Sequence, residues 1–324
     1  MPPQSPPTPT GSARSTHATS PNLQRYLRPD VAKQIRRLDL RARCIVKGFM
    51  NGLHRSLGQG ASNEFDDYRE YRRGDDIRGI DWNLYSRTDK YYVRKYRAET
   101  NLVATLVLDI SESMGYTYSQ EMTKFEYAIC LAAALAYLVT QRRDQVGLIT
   151  FDTQLRHLLP AKSSRTHLGE MLALLTTIQP MGKTDIRKSL EQSASIIRRG
   201  GLILVFSDLL GDLDDLLRAV CRMRATGSDV ILFHILDEAE VKFPFTGMVQ
   251  LVDPESDNDG LSGVADEMTV DADACRADYL EAVDAFRKEI AAKCAELRID
   301  YVPLDTSMQF DHALMEYLVR RQAS

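Results

Sequence analysis

The sequence predicts an α/β protein with a doubly wound, mostly parallel sheet, preceded by an N-terminal helix and β-hairpin element. Three observations point there. From residue 102 onward, short apolar runs alternate with stretches of helical period. Those runs, such as LVATLVLD and GLILVFSD, lack polar alternation. That is the mark of strands covered on both faces by helices. And 324 residues with 44% hydrophobic content are enough to close a core of that kind.

The elements follow in order. Residues 1–22 are rich in Pro, Ser and Thr, bury too little to fold, and read as a disordered tail. Residues 23–100 form the N-terminal element. Within it, Val31, Ile35, Leu38, Ala42, Ile45 and Phe49 repeat at helical spacing over 29–50, with Pro29 before Asp30 as the start. A loop punctuated by Gly48, Gly52, Gly58 and Gly60 comes next. IDWNLYSR and KYYVRKYR around Thr88-Asp89 then predict a hairpin over 80–97, with Trp82 packed beneath it. Residues 101–324 form the α/β domain. Its strands are expected at 102–109, 146–151, 201–208, 229–236 and 299–304, with a weaker edge strand at 155–160. Helices are expected near 123–142, 165–178, 186–198, 212–226, 271–297 and 310–321.

Charge is unevenly spread. Residues 23–100 hold 18 Lys/Arg against 11 Asp/Glu, and residues 101–324 hold 22 against 34. The two parts read as mutually attractive surfaces. The basic residues are interleaved with acids, which argues against a nucleic-acid partner. The five cysteines are scattered without a C-x-x-C pair, as expected of a reduced, cytoplasmic chain. The start lacks the apolar core of a signal peptide, and the longest greasy run, ICLAAALAYLVT, is shorter than the ~20 residues of a membrane span. No transmembrane segment is expected.

The stretch LVLDISESMGY carries the chemistry. Ligands of open α/β sheets sit beyond the carboxyl ends of the strands, where strand order reverses. Asp109 lies at such an end. In an extended segment Asp109, Ser111 and Ser113 point the same way. Their hard oxygens suit Mg²⁺ better than zinc. GLILVFSDLL adds Asp208 at a second strand end, and MGKTDIRKS adds Thr184 and Asp185 in a loop before a helix. Asp185 fits the N-cap of that helix better than a ligand position. Enzymatic readings lack support. GKT at 182–184 has Thr177 where a phosphate-binding loop needs glycine, no G-x-S-x-G occurs, and a phosphoaspartate site would need an acid where Ser111 stands. His234, inside a strand, reads as a core histidine.

D-x-S-x-S after an apolar strand, then G-x-T-D, then an apolar strand ending in S-D, resembles the von Willebrand factor A domain and its metal-ion-dependent adhesion site. By that resemblance Ser111, Ser113 and Thr184 touch the metal, which is Mg²⁺, Mn²⁺ or Ca²⁺. Asp109 and Asp208 act directly or through water, and one position is left for an acidic side chain of a protein partner. A second resemblance covers roughly residues 30–321. Glu64, Phe65, Arg69, Tyr71, Gly74, Asp75, Asp76, Arg78, Ile80, Asp81, Trp82, Arg87 and Thr88 match the pattern of the bacterial domain-of-unknown-function 58 family. That family joins such a front element to a von Willebrand A-like domain. The resemblance implies a non-enzymatic binding module that partners a MoxR-type AAA+ ATPase in protein assembly or remodelling. The polar cluster at 64–99 reads bottom-up as a clamp of Arg–carboxylate pairs. The alternatives are a metal-assisted hydrolase at the same site, or a scaffold whose site is vestigial.

Overall fold

The apolar run VATLVLD becomes a central strand of the sheet, paired on both sides and buried along its whole length. The computed structural model describes residues 28–33, 35–56, 68–71, 82–94, 102–118, 122–182, 196–197, 199–211, 213–252 and 267–323. The front part holds helices α1 (Pro29–Lys33) and α2 (Leu38–Ser56), strand β1 (Tyr68–Glu70), helix α3 (Trp82–Thr88) and strand β2 (Tyr92–Arg94). Then come β3 (Val103–Asp109), a short 3₁₀ turn at Glu112–Gly115, α4 (Lys124–Gln141), β4 (Gln145–Phe151), β5 (Leu155–Lys162) and α5 (Arg165–Thr177). The chain continues through β6 (Leu202–Ser207), α6 (Leu213–Ala225), β7 (Asp229–Leu236), α7 (Glu238–Lys242), β8 (Met248–Val252) and β9 (Glu267–Asp271). It ends with α8 (Ala272–Glu296), β10 (Asp300–Asp305) and α9 (Asp311–Ala323).

Six strands form one sheet in the order β10-β7-β6-β3-β4-β5. All neighbours are parallel except β5, which runs antiparallel to β4 at the edge. From β3 the chain winds outward to β4 and β5, then returns to place β6 on the other side of β3. The expected doubly wound sheet is therefore present, and its switch point lies between β3 and β6. At the start of that pair Gly201 sits against β3 so closely that a Cβ would collide with the Val103 carbonyl oxygen.

Alternate residues of each strand feed two cores. Leu106, Leu108, Leu148, Leu204, Phe206 and Phe233 pack with α2, α4, α5 and α9. Val107, Ile149, Ile203, Val205 and Leu232 pack with α6 and α8. The run ICLAAALAYLVT is the middle of α4, buried between the sheet and α2. Its alanines let α2 approach, so Ala42, Ile45, Val46 and Phe49 of the front part join the main core. Among the described residues no helix is long and apolar enough to cross a membrane. All five cysteines are free thiols.

The front part differs from expectation in three ways. The single helix over 29–50 is two, because Arg41 turns its guanidinium back onto the carbonyls of Ile35, at 2.8 and 3.1 Å, and Lys33. Lys33 closes α1, and Ile35 lies in the link before α2. The strand expected in IDWNLYSR is not found in its described part: residues 82–88 are α3. Ile80, Trp82 and Leu84 alternate as a strand would. Trp82 and Tyr85, three apart, nonetheless meet edge to face at 6.1 Å, and Asp89 ends the helix at φ 54°. Tyr85 then stacks on Tyr91 at 4.6 Å. The antiparallel partner of β2 is β1, with Arg69 opposite Val93. Trp82 is not packed beneath a hairpin; it is 58% exposed. Glu64, Phe65, Gly74, Asp75, Asp76, Arg78 and Asp81 of the polar cluster lie outside the described residues.

Candidate metal centre

The carboxyl ends of β3 and β6 lie side by side at the switch point. Asp109 closes β3 and is fully buried. Its Oδ1 accepts the Ser111 amide at 3.0 Å, and its Oδ2 accepts the Ser207 hydroxyl from the end of β6 at 2.6 Å. Ser207 in turn accepts the Leu209 amide at 3.0 Å, where the backbone enters the left-handed region at φ 56°. Ser111 and Ser113 are buried, with their hydroxyl oxygens 3.0 Å apart. They do not converge through an extended segment as expected. Ser111 is extended, but Ser113 lies inside the 3₁₀ turn. The turn brings both hydroxyls together because Asp109 and the incoming loop hold its backbone.

That incoming loop precedes Thr184. The Met181 amide donates to the Ile110 carbonyl at 3.0 Å, and the Glu112 amide donates to the Gly182 carbonyl at 2.9 Å. Two residues short of Thr184, the chain is thus laced to the D-x-S-x-S loop. Thr184 and Asp185 themselves lie outside the described residues, as does the helix expected at 186–198, apart from Ile196 and Ile197. Asp152, past the end of β4, is a further buried strand-end carboxylate. It is engaged with the Gln154 amide at 3.0 Å and with Arg156 at 2.5 Å.

Asp208 follows β6 and is 1% exposed. Its Oδ2 is 2.8 Å from Nζ of Lys124, a lysine that is itself 1% exposed. The same ammonium reaches Glu240 Oε1 of α7 at 2.9 Å. Sequence reasoning missed Lys124 and Glu240, yet a signal was there. Lys124 opens an otherwise apolar helix, at the end where the macrodipole disfavours a cation. The start of α4 is fixed by a capping box: Thr123 accepts the Glu126 amide, and Glu126 accepts the Thr123 amide. A cation so placed needs an anionic partner, and two arrive.

The electrostatics follow from burial. Burial first, and the neighbouring Asp208 second, push the Asp109 carboxyl up to about 7, against the hydrogen bonds from Ser207 and Ser111. Burial would lower the Lys124 ammonium, but Asp208 and Glu240 outweigh it and raise its pKa above the ordinary value. For Glu240 burial raises the carboxyl and Lys124 opposes it. The mutual geometry of 2.8 and 2.9 Å, with the lysine sealed from water, favours the ionised triad. Two carboxylates then share one ammonium, a surplus of negative charge under little solvent, with the raised Asp109 carboxyl beside Asp208.

Among the described residues no group of three or more His, Cys, Asp or Glu is arranged to hold a metal. The oxygens present are mixed: two hydroxyls that meet, one carboxyl at the end of β3, and a second, Asp208, that follows β6 and is bonded to Lys124. Hard oxygens with surplus negative charge fit a hard divalent cation.

The family model described as "Protein of unknown function DUF58" matches residues 67–289. The chain belongs to the DUF58 family. Uncharacterized proteins of Mycobacterium tuberculosis (Rv1480) and Mycobacterium bovis (Mb1516) are each 30% identical to this DUF58 chain over 269 residues, covering 81% of either chain. Among solved structures, the conserved hypothetical protein BatB from Bacteroides thetaiotaomicron is 18% identical. It has a TM-score of 0.48 and covers 69% of this chain and 100% of its own. The SpRpn10 VWA domain is 15% identical at a TM-score of 0.39, covering 67% of this chain and 95% of its own.

Behind the site, His234 of β7 is buried, as expected for a core histidine, and its Nδ1 is 2.7 Å from the Tyr301 hydroxyl. Burial lowers its pKa to about 4. The unfolded chain takes up this proton below about pH 6.5, whereas the folded DUF58 chain does so only near pH 4. His234 therefore subtracts stability as pH falls through that window. Between pH 7 and 4.5, urea denaturation should show wild type losing roughly 2–3 kcal/mol more than His234→Asn. Equal losses would mean that the histidine is not buried neutral.

Proposed function

We propose that this DUF58 chain is a non-enzymatic, metal-dependent protein-binding module. The carrying observation is the pair of buried hydroxyls, Ser111 and Ser113, 3.0 Å apart in the loop after the buried Asp109, whose carboxyl feels the charge of Asp208. Ser111, Ser113, Asp109 and Asp208 would hold Mg²⁺, with Mn²⁺ or Ca²⁺ as substitutes, and Thr184 would complete the set. The bound ion would supply an open coordination position for an acidic side chain of a protein partner. The chain's own residues do the remaining work. Ser207 and the Ser111 amide orient Asp109, and Lys124 holds Asp208.

The surroundings suit a protein partner. Met181, Tyr118, Leu210 and Tyr116 stand on the loops that flank the site, and they are 63, 51, 43 and 37% exposed. Large apolar side chains on functional loops mark contact surfaces, and they supply the area that a single charge bridge lacks. The family resemblance adds the kind of partner, a MoxR-type AAA+ ATPase engaged in protein assembly or remodelling. Among the described residues the histidine nearest in the sheet, His234, is buried and bonded to Tyr301. A second reading, a scaffold that carries no metal, draws on one observation: Asp208 already has a cation in Lys124.

Titration calorimetry with Mg²⁺ or Mn²⁺ decides between them. Wild type should bind one ion, and Asp109→Ala should bind none. No heat from wild type would leave the scaffold reading standing. Capture of the AAA+ partner should be lost in EDTA and restored by excess Mg²⁺; capture that ignores EDTA would overturn the bridge.

A further inference from the structure

Lys124 is the feature at the strand ends that a simple divalent-ion site does not need. It is sealed from solvent, it bonds Asp208 across the switch point, and it reaches out to Glu240 on α7. Glu240 is doubly committed. Its Oε1 takes the ammonium, while its Oε2 accepts the Asp237 amide at 2.6 Å as the second half of the α7 capping box. Beyond α7, Phe243 packs on Tyr279 at 4.4 Å and on Phe245 at 5.1 Å, and Phe245 meets Tyr118 at 4.9 Å. The ammonium is thus tied at one end to a carboxylate of the candidate site and at the other to the segment that supports its apolar rim.

We propose that Lys124 is a positioning residue that sets the divalent-ion affinity of this site, with Glu240 as its counterweight. The inference rests on the metal-binding reading above. A buried positive charge beside Asp208 competes with a dication for the same carboxylate. Unit charges a few ångströms apart under little solvent interact strongly enough to change an equilibrium by well over tenfold. Glu240 draws part of that positive charge away from Asp208. The arrangement keeps the surplus of carboxylates folded without an ion, and it weakens the ion's hold so that binding stays reversible.

Two substitutions should therefore move affinity in opposite directions. In Mn²⁺ titrations of the full chain, Lys124→Met should tighten binding by about tenfold or more, since the competing charge is gone. Glu240→Gln leaves Lys124 wholly on Asp208 and should weaken binding by roughly threefold or more. A merely structural role would weaken binding in both. Lys124→Arg should restore an affinity close to wild type. Should Lys124→Met fail to fold without an ion, its recovery by Mn²⁺, read as the rise in melting temperature, serves in place of the titration. That rise should exceed wild type's at every Mn²⁺ concentration, and an equal or smaller rise overturns the proposal. If wild type binds and both variants weaken or stay unchanged, only the role of Lys124 falls. If wild type binds no Mn²⁺ at all, the metal reading falls with it.

Discussion

Lys124→Met is expected to be the costliest single substitution at the strand ends, lowering the stability of the metal-free protein by about 3–5 kcal/mol. Methionine can follow the path of the lysine stem, so most packing contacts survive and the loss isolates the charge. What remains is Asp208, 1% exposed, and Glu240, 24% exposed, with Asp109 nearby and no cation between them. Removing one member of a buried pair leaves its partner desolvated and uncompensated, and that is the expensive outcome. Asp208→Ala should cost clearly less, for two reasons: Lys124 keeps Glu240 as a partner at 2.9 Å, and Asp109 is freed from a neighbouring negative charge. Urea midpoints at pH 7.5 in chelator, compared across the two variants, test the ranking. If Asp208→Ala proves the costlier, then sealing the ammonium, and not the carboxylates, dominates the energetics of the triad.

The same contrast separates what could be read along the chain from what could not. The expected strands at 146–151, 229–236 and 299–304 lie within one residue of β4, β7 and β10. β4 and β7 are buried along nearly their whole length, and β10, at the sheet edge, keeps Val302 and Leu304 buried, so an apolar run marks each. The β8–β9 ribbon was not foreseen, because it is covered on one face at most. Met248 and Met268 are 70% and 61% exposed, and its residues lack a long apolar run. IDWNLYSR misleads because a short segment with apolar residues at both two- and three-residue spacing satisfies either period. At the site, Asp109, Ser111 and Ser113 are neighbours in sequence, so their grouping is a local property. Lys124 and Asp208 are 84 residues apart, and Lys124 and Glu240 are 116 apart. Their union depends on the order of strands around the switch point, which no local pattern encodes. Only the odd placement of a lysine at the head of an apolar helix hints at it.

Asp109→Asn is expected to make the metal-free protein more stable while abolishing ion binding. The wild-type carboxyl is pushed up to about 7, chiefly by burial and then by Asp208, from an ordinary value of 3.8. Below about pH 4 the carboxyl is protonated in both folded and unfolded chains, and it contributes nothing. As pH rises toward 7 the unfolded chain loses the proton and the folded one keeps it, so stability falls. Above 7 the folded protein carries a strained, ionised carboxylate, and the loss reaches its plateau, on the order of 4 kcal/mol. Asparagine removes that penalty, keeps one of the two hydrogen bonds and reverses the other, so the Ser207 proton turns to another acceptor. Its carbonyl oxygen can accept the Ser111 amide, and its amide can donate to Ser207, which already accepts from Leu209. Metal-free Asp109→Asn should therefore exceed wild type in urea midpoint at pH 8, and its advantage should vanish near pH 4. With Mg²⁺ the gap narrows and then reverses: a ligand that binds only the folded state adds about 2.7 kcal/mol at a hundred times its dissociation constant and about 4.1 kcal/mol at a thousand times, so the reversal needs Mg²⁺ above about a thousand times that constant. The variant, lacking the carboxylate, gains nothing from Mg²⁺. A residue kept for packing alone would show neither the pH-dependent gain nor the metal-dependent reversal, and a variant less stable than wild type at pH 8 in chelator would mean that Asp109 is a structural anchor and not a ligand held under strain.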